Sequence, residues 1–232
     1  MLTSDLIFRN ICTAKFNLTT PYTDWYICVM KFTPRSESTR QFIIEATAKL
    51  FNTKGYEGTS MTDIATATGL TKGSVYGNFE NKEAVALAVF EYNAAQRVSI
   101  LSSRVSKAVT NKEKLLVYAS VFTSSGNKIF PEGGCPLQNM AIEADDTNEA
   151  FRKRVAEEFL SWKKNLTNII QNGITAREFR ADVQPEKTAL SIIALIEGSI
   201  LLSRTTRTPH YSDCIMETVR EMIHSLDAKK VK

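Results

Sequence analysis

The chain is poor in the residues that build metal centres and disulfide frameworks. Among its 232 residues are four cysteines, at 12, 28, 135 and 214, and two histidines, His210 and His224. No C-x-x-C or H-E-x-x-H pair occurs, so neither a zinc site nor a disulfide scaffold is expected, and a reducing, cytoplasmic setting is. No apolar run approaches about 18 residues, so no membrane-spanning helix and no membrane partner are expected. Lys and Arg are absent from the first eight residues, and Arg9-Asn10 interrupts the apolar run there, which is not the pattern of a secretory signal. Ten glycines and six prolines are too few for a linker-dominated chain. The phosphate-cradling G-x-x-x-x-G-K-[ST] and G-x-G-x-x-G patterns and the nucleophile elbow G-x-S-x-G are missing too. Gly133-Gly134 is an isolated turn, and Asp145-Asp146 and Glu157-Glu158 read as solvated pairs. No catalytic residue, metal ligand or cofactor site nominates itself, and an enzyme is the weak reading.

Charge of one sign is also lacking. The 29 basic and 25 acidic side chains leave a net charge of +4, and residues 31–83 hold 7 basic and 6 acidic ones. Such a balance does not mark a nucleic-acid binder; a motif has to. What is present is ordinary globular material, 43% apolar and 23% charged, enough for one or two domains at roughly 100–200 residues each.

Residues 1–33 stand apart, Thr-rich and aromatic, without a helical period longer than one turn. Met30 is a candidate natural start, with residues 1–29 a loose extension; a short ordered cap on the first helix is the alternative. From Ser38 the pattern is helical. Phe42, Ala46, Lys49-Leu50 and Thr53, widened by Ile43, mark the stripe of a first helix that Gly55 ends. A turn follows, then a short segment capped by Thr62 and stopped by Gly69, then a second, over 72–78, capped by Thr71. Asn81 opens a long helix to about Lys107. Further helices are expected over 111–125, 137–144, 151–170 (Phe151, Val155, Phe159, Trp162, Leu166, Ile169 and Ile170 at 3.6 spacing), 185–204 and 213–226. No strand-like alternation persists, so the fold class is all-α: a helix-turn-helix domain over 34–82 and a helical bundle over 83–232.

The informative stretch is 60–82, S-M-T-D-I-A-T-A-T-G-L-T-K-G-S-V-Y-G-N-F-E-N-K. Two very short helices joined through Gly69-Leu70-Thr71, behind a longer supporting helix, have the layout of a helix-turn-helix. Ile64, Ala65, Leu70, Val75 and Phe79 can face inward. Thr71, Lys72, Ser74, Gly77 and Asn78 face outward, with Tyr76 at the edge. An ordinary bundle hairpin rarely exposes so many small polar residues on so short a helix, which favours binding to double-stranded DNA.

The run Lys72-Gly73-Ser74-Val75-Tyr76-Gly77-Asn78-Phe79-Glu80-Asn81-Lys82-Glu83 resembles the recognition region of the TetR family of bacterial transcriptional regulators. Thr39-Arg40, Ala46, Phe51, Gly55-Tyr56, Thr59-Ser60 and Ile64-Ala65 agree with it. Gly134-Cys135-Pro136-Leu137-Gln138-Asn139 with Glu143, and Phe179-Arg180-Ala181-Asp182-Val183, are similar to the effector domains of LmrA/YxaF-like regulators. The resemblance implies phosphate contacts from Lys72, Tyr76, Lys82 and the backbone N–H of Thr62. It also implies that Thr71, Gly73, Ser74 and Gly77 face the major groove. Gly77 and Asn78 depart from the bulky aromatic or His residues many members carry, so base readout there is expected to be sparse; Asn78 would bond a phosphate or, second, read adenine.

The 185–204 segment is apolar nearly all round and needs cover on every side. A monomer core helix is one reading. With the last helix it forms a dimer interface in the other, which the resemblance favours, with Leu195, Gly198, Leu202, Val219 and Met222 in it. Tyr92, Tyr118, Phe122, Phe159 and Trp162 are candidates for an apolar pocket taking a small-molecule effector, mostly core with three or four in contact. Cys135, at a helix start after two glycines, is a candidate redox sensor, with a packing residue as the alternative. The expected protein is a ligand-released repressor binding a palindromic operator as a homodimer. The alternative is a helical dimeric adaptor without sequence-specific DNA binding.

Overall fold

The computed structural model describes residues 35–124 and 130–228. The expected extension over 1–33, with Met30, Cys12 and Cys28, lies outside them. Among the described residues the protein is all-α. Its helices are α1 Arg35–Lys54, α2 Met61–Thr68, α3 Lys72–Tyr76, α4 Lys82–Val105, α5 Asn111–Val121, α6 Pro136–Ala144, α7 Glu149–Thr175, α8 Pro185–Thr205 and α9 His210–Ser225.

Short polar residues set most helix starts by accepting first-turn N–H groups that have no intrahelical partner. Thr71 accepts from Ser74 N at 3.1 Å, Asn81 from Ala84 N at 2.8 Å and Asn148 from Phe151 N at 3.0 Å. One expected cap is displaced. Ser60, not Thr62, caps α2: its hydroxyl accepts from Asp63 N while Asp63 Oδ2 accepts from Ser60 N at 2.8 Å. The Ser60-x-x-Asp63 spacing permits both reciprocal bonds, and Thr62 becomes the second residue of the helix. α9 likewise starts at His210, ahead of the expected Asp213, and α5 stops at Val121.

The stripe on α1 is rotated from the expected one. Ile43, Ile44, Thr47, Ala48 and Phe51 are buried, whereas Phe42, Lys49 and Thr53 are exposed. Thr47 can sit inside because its hydroxyl donates to Ile43 O at 2.6 Å, leaving no unpaired polar atom. That face packs on α4.

The body stacks α8 against α7 and α9, with α5 and α6 also resting on α7. The Phe179–Val183 run forms a seam. Phe179 is buried against Gly173, where a Cβ would lie 2.2 Å from its ring. Arg180 N donates to Leu226 O and Ala228 N to Glu178 O, tying α7 to the end of α9. The expectation that no helix is long and apolar enough to cross a membrane does not hold by length and composition: α8 has 21 residues of suitable composition. Its inner face, Ala189, Ile192, Ile193, Ile196, Ser199 and Ile200, is nevertheless buried within the bundle, as in a core helix.

Candidate nucleic-acid interface and sensor cleft

The α2–turn–α3 unit is held from within and open outside. Ile64, Val75 and Phe79 are buried and Leu70 is half-buried. The turn depends on Gly69, whose φ of 68° is left-handed. Lys54 Nζ bonds Asp63 Oδ1 at 2.8 Å, and with the Ser60 bonds this holds the Asp63 carboxyl well below the usual carboxylate range. Arg40, whose role the motif did not reveal, lays its guanidinium 4.0 Å from the Phe79 ring centroid and donates to Asn78 O at 2.9 Å, pinning the exit of α3 to α1.

Thr62, Thr71, Lys72, Gly73, Tyr76 and Gly77 are exposed; Ser74, Asn78 and Lys82 are half-buried. Asn78 Nδ2 already donates to Ser74 O at 2.8 Å, which leaves its carbonyl oxygen outside that bond. Lys82 Nζ donates to Tyr56 O at 3.0 Å and lies 4.1 Å from the Tyr56 ring centroid, so it also braces the turn after α1. Gly77 has an α-region φ of −70°, and a Cβ on it would meet only ordinary contacts at 3.5 Å. No backbone strain therefore demands a glycine there.

The end of α1 and the turn after it are fastened to the later helices through α4 and α6. Asn93 Nδ2 donates to Ala48 O at 3.2 Å. Asn139 Nδ2 donates to Asn52 O, and Asn52 Nδ2 to Gly134 O and Glu132 O, each at 3.0 Å. The Glu143 carboxylate accepts from Tyr56 N at 2.7 Å, directly beneath Gly55, where a Cβ would collide with it at 2.3 Å. The Gly134–Asn139 run and Glu143 thus act as a clasp on the end of α1.

A cleft of about 390 Å³ opens between α4 and α7, with α5 at its base. Of the expected pocket residues, Tyr118 and Trp162 line it; Phe122 lines a separate surface depression, and Tyr92 and Phe159 line neither. Phe159 stacks instead on Trp162, with centroids 6.5 Å apart. Sequence reasoning missed Arg97, which also lines the cleft, is almost fully buried and sits 4.6 Å from the Trp162 centroid. A signal existed: Asn93 and Arg97 occupy core-facing positions in the helical period of Val89, Phe90, Ala94 and Leu101. Burial raises the Tyr118 phenol to about 12, against the opposing pull of Arg97.

Cys135 lacks the surroundings of a reactive thiol. It is completely buried, and its Sγ donates to Glu197 Oε1 at 3.1 Å. Burial first, and the Glu197 carboxylate second, push the thiol well up, outweighing the helix start above it. Burial also raises Glu197. Cys214 is exposed in the single chain. Among the expected dimer residues, Val219 is fully buried inside the chain and cannot face a partner. Leu202 is exposed, and Leu195, Gly198 and Met222 are half-buried.

A capped helix-turn-helix on a helical body defines a class, the DNA-binding transcriptional regulators. The family model for bacterial regulatory proteins of the tetR family matches residues 43–89, and that for the tetracyclin repressor-like C-terminal domain matches residues 112–219. A solved TetR-family regulator from Cytophaga hutchinsonii is 53% identical, with a TM-score of 0.82 over 85% of this chain and 99% of that one. The HTH-type transcriptional repressor DhaR of Mycobacterium sp. is 28% identical over 188 residues, 79% of this chain and 91% of DhaR. LmrA of Bacillus subtilis is 29% identical over 189 residues, 78% of this chain and 96% of LmrA. The chain belongs to the TetR family and is a DNA-binding transcriptional regulator.

Proposed function

We propose that the protein is a cytoplasmic repressor that binds a palindromic operator as a homodimer and is released by a small molecule. Residues 34–82 serve as its head and residues 83–232 as its effector-binding and dimerisation body. The observation that carries the reading is the outer face of α3: it is rigidly capped, yet bears glycines at 73 and 77 that the backbone does not require. Bare backbone there lets the helix approach base edges closely, with Thr71 and Ser74 as short polar readers. Lys72, Tyr76, Lys82 and the first-turn amide of Thr62 then hold phosphates.

Leu190, Ala194, Leu201 and Leu202 form an exposed stripe along α8, with half-buried Leu195, Gly198 and Met222 beside it. A two-fold axis through this stripe would cover it and place two heads on successive major grooves, about 34–36 Å apart. The test is selection of bound sequences from random duplex DNA. Two inverted half-sites about one helical turn apart are expected. Retention without sequence preference would favour the helical adaptor reading instead.

A further inference from the structure

The α4–α7 cleft holds an imbalance that the fold alone does not resolve. Arg97 is 2% exposed, yet its Nε and Nη1 have no hydrogen-bond partner, and neither has Trp162 Nε1 beside it. Two residues of one cavity lining therefore carry three buried donors without an acceptor. Among the described residues no carboxylate forms an ion pair with Arg97. Glu158, also in the lining, is held by Arg154 Nη2 at 2.8 Å; Glu197 gives one oxygen to Cys135 and keeps Oε2 buried without a partner, near enough to feel the Arg97 charge but not paired with it. A buried guanidinium whose donors are left without acceptors is unfavourable. Further along, the wall sets Val98, Leu101, Val105 and Ile169 among the polar side chains of Asn165, Asn168 and Asn172.

We propose that the effector is an amphipathic monocarboxylate whose head accepts hydrogen bonds from Arg97 and Trp162 and whose apolar body lies along Val98, Leu101, Val105 and Ile169. This rests on the reading of the protein as an effector-released regulator and names the class of effector. At roughly 30 Å³ per water-sized group, a cleft of about 390 Å³ takes on the order of a dozen heavy atoms. That is the size of a ten-carbon acid or a fused-ring aromatic acid. Binding pairs the guanidinium in a water-poor site, where charge-assisted hydrogen bonds are strong.

The probes are decanoate and 1-naphthoate, with decanol and decylamine as bodies carrying a neutral or cationic head. Affinities for the full chain are read by calorimetry, and binding of a selected operator duplex by anisotropy on the same preparation. Decanoate should bind about 10- to 150-fold tighter than decanol, as one hydrogen bond to a charged group implies, and decylamine should not compete. The two acids distinguish a linear from a ring-bearing body. Arg97→Gln should erase the preference for decanoate over decanol. Val98→Trp, at a half-exposed site on the rim that tolerates change, should weaken decanoate at least about fivefold by filling the apolar end. Equal affinity for decanoate and decanol in the parent protein, or a preference that survives Arg97→Gln, overturns the proposal. A protein that binds its operator but shows no carboxylate preference keeps the regulator reading and loses this site. One that prefers decanoate through Arg97 but binds no operator does the reverse.

Discussion

Replacing Gly198 by alanine should move folding and association in opposite directions. Gly198 lies in the middle of α8, and a Cβ there would meet no atom within 4 Å in the single chain. Alanine is better than glycine in a helix interior by about 1 kcal/mol, so the protomer should gain about that much stability, roughly a fivefold shift in its folding equilibrium. In the proposed dimer the same atom enters the crossing of two α8 helices, between Ala194 and Leu201–Leu202. Overpacking a close contact costs roughly 1–3 kcal/mol, and a two-fold axis presents the change twice. The dimer should therefore weaken by roughly 2–6 kcal/mol, on the order of 30-fold to 10,000-fold in Kd. Sedimentation equilibrium over a range of concentrations reads the association. Urea unfolding in a Leu202→Glu background, where the apolar contact is broken, reads the protomer. A Gly198→Ala dimer as tight as the parent would refute the packing of α8 on its copy, since the single chain offers nothing else for that methyl to disturb.

Three further outcomes are expected. Lys72→Ala should weaken binding to operator and random duplex alike and lower the salt slope by about one, read by titration at several salt concentrations; an unchanged slope would remove Lys72 from the phosphate contacts. Glu143→Ala leaves Tyr56 N without its acceptor and should cost about 1–3 kcal/mol in urea denaturation, unless its loss is invisible and the clasp on α1 is not structural. On brief treatment of the native protein with iodoacetamide, Cys214 should be alkylated well before Cys135, because Cys135 is buried with its thiol pushed up; mass spectrometry finding Cys135 modified first would contradict that placement.

The helix-turn-helix was legible because its signals are local. Glycine at a left-handed turn, a threonine cap and an apolar triad all lie within 23 consecutive residues, and each acts on its immediate neighbours. The all-α class was legible for the same reason, since a 3.6-residue period needs no partner to be seen. Long-range contacts were not. Cys135 looked reactive because its neighbours in sequence are two glycines and a helix start, but Glu197, 62 residues on, sits against its sulfur and the whole side chain is desolvated. Val219 shares a helical face with Met222 in sequence, yet the depth to which α9 sinks between α5 and α8 decides that only Met222 keeps any surface. The aromatic list overestimated the pocket because an aromatic residue fills space more often than it lines a void. Arg97 is the instructive miss: a charge on a buried stripe carries more information about a cleft than another phenylalanine does.

The path by which a cleft could act on DNA is constrained by where the ties lie. No loop separates the proposed head from the proposed body, because α4 runs unbroken from Lys82 to Val105. Its first half grips the head through Lys82 on Tyr56 and Asn93 on Ala48; its second half lines the cleft through Arg97, Val98, Leu101 and Val105. Arg97 lies one turn beyond Asn93, so a group pulling on the guanidinium acts on the same rigid element, about 6 Å along it at 1.5 Å per residue. α6 adds a second tie, through Asn139 and Glu143 to the end of α1, and is itself held to α8 by Cys135 on Glu197 and Gln138 on Glu197 O at 2.9 Å. The head therefore cannot swing freely on a linker; it can only follow α4 and α6 as they shift against α7 and α8. In a dimer joined through α8, such a shift changes the spacing of the two heads rather than the shape of either one. An effector favouring one spacing and an operator favouring another must then weaken each other's binding by the same factor.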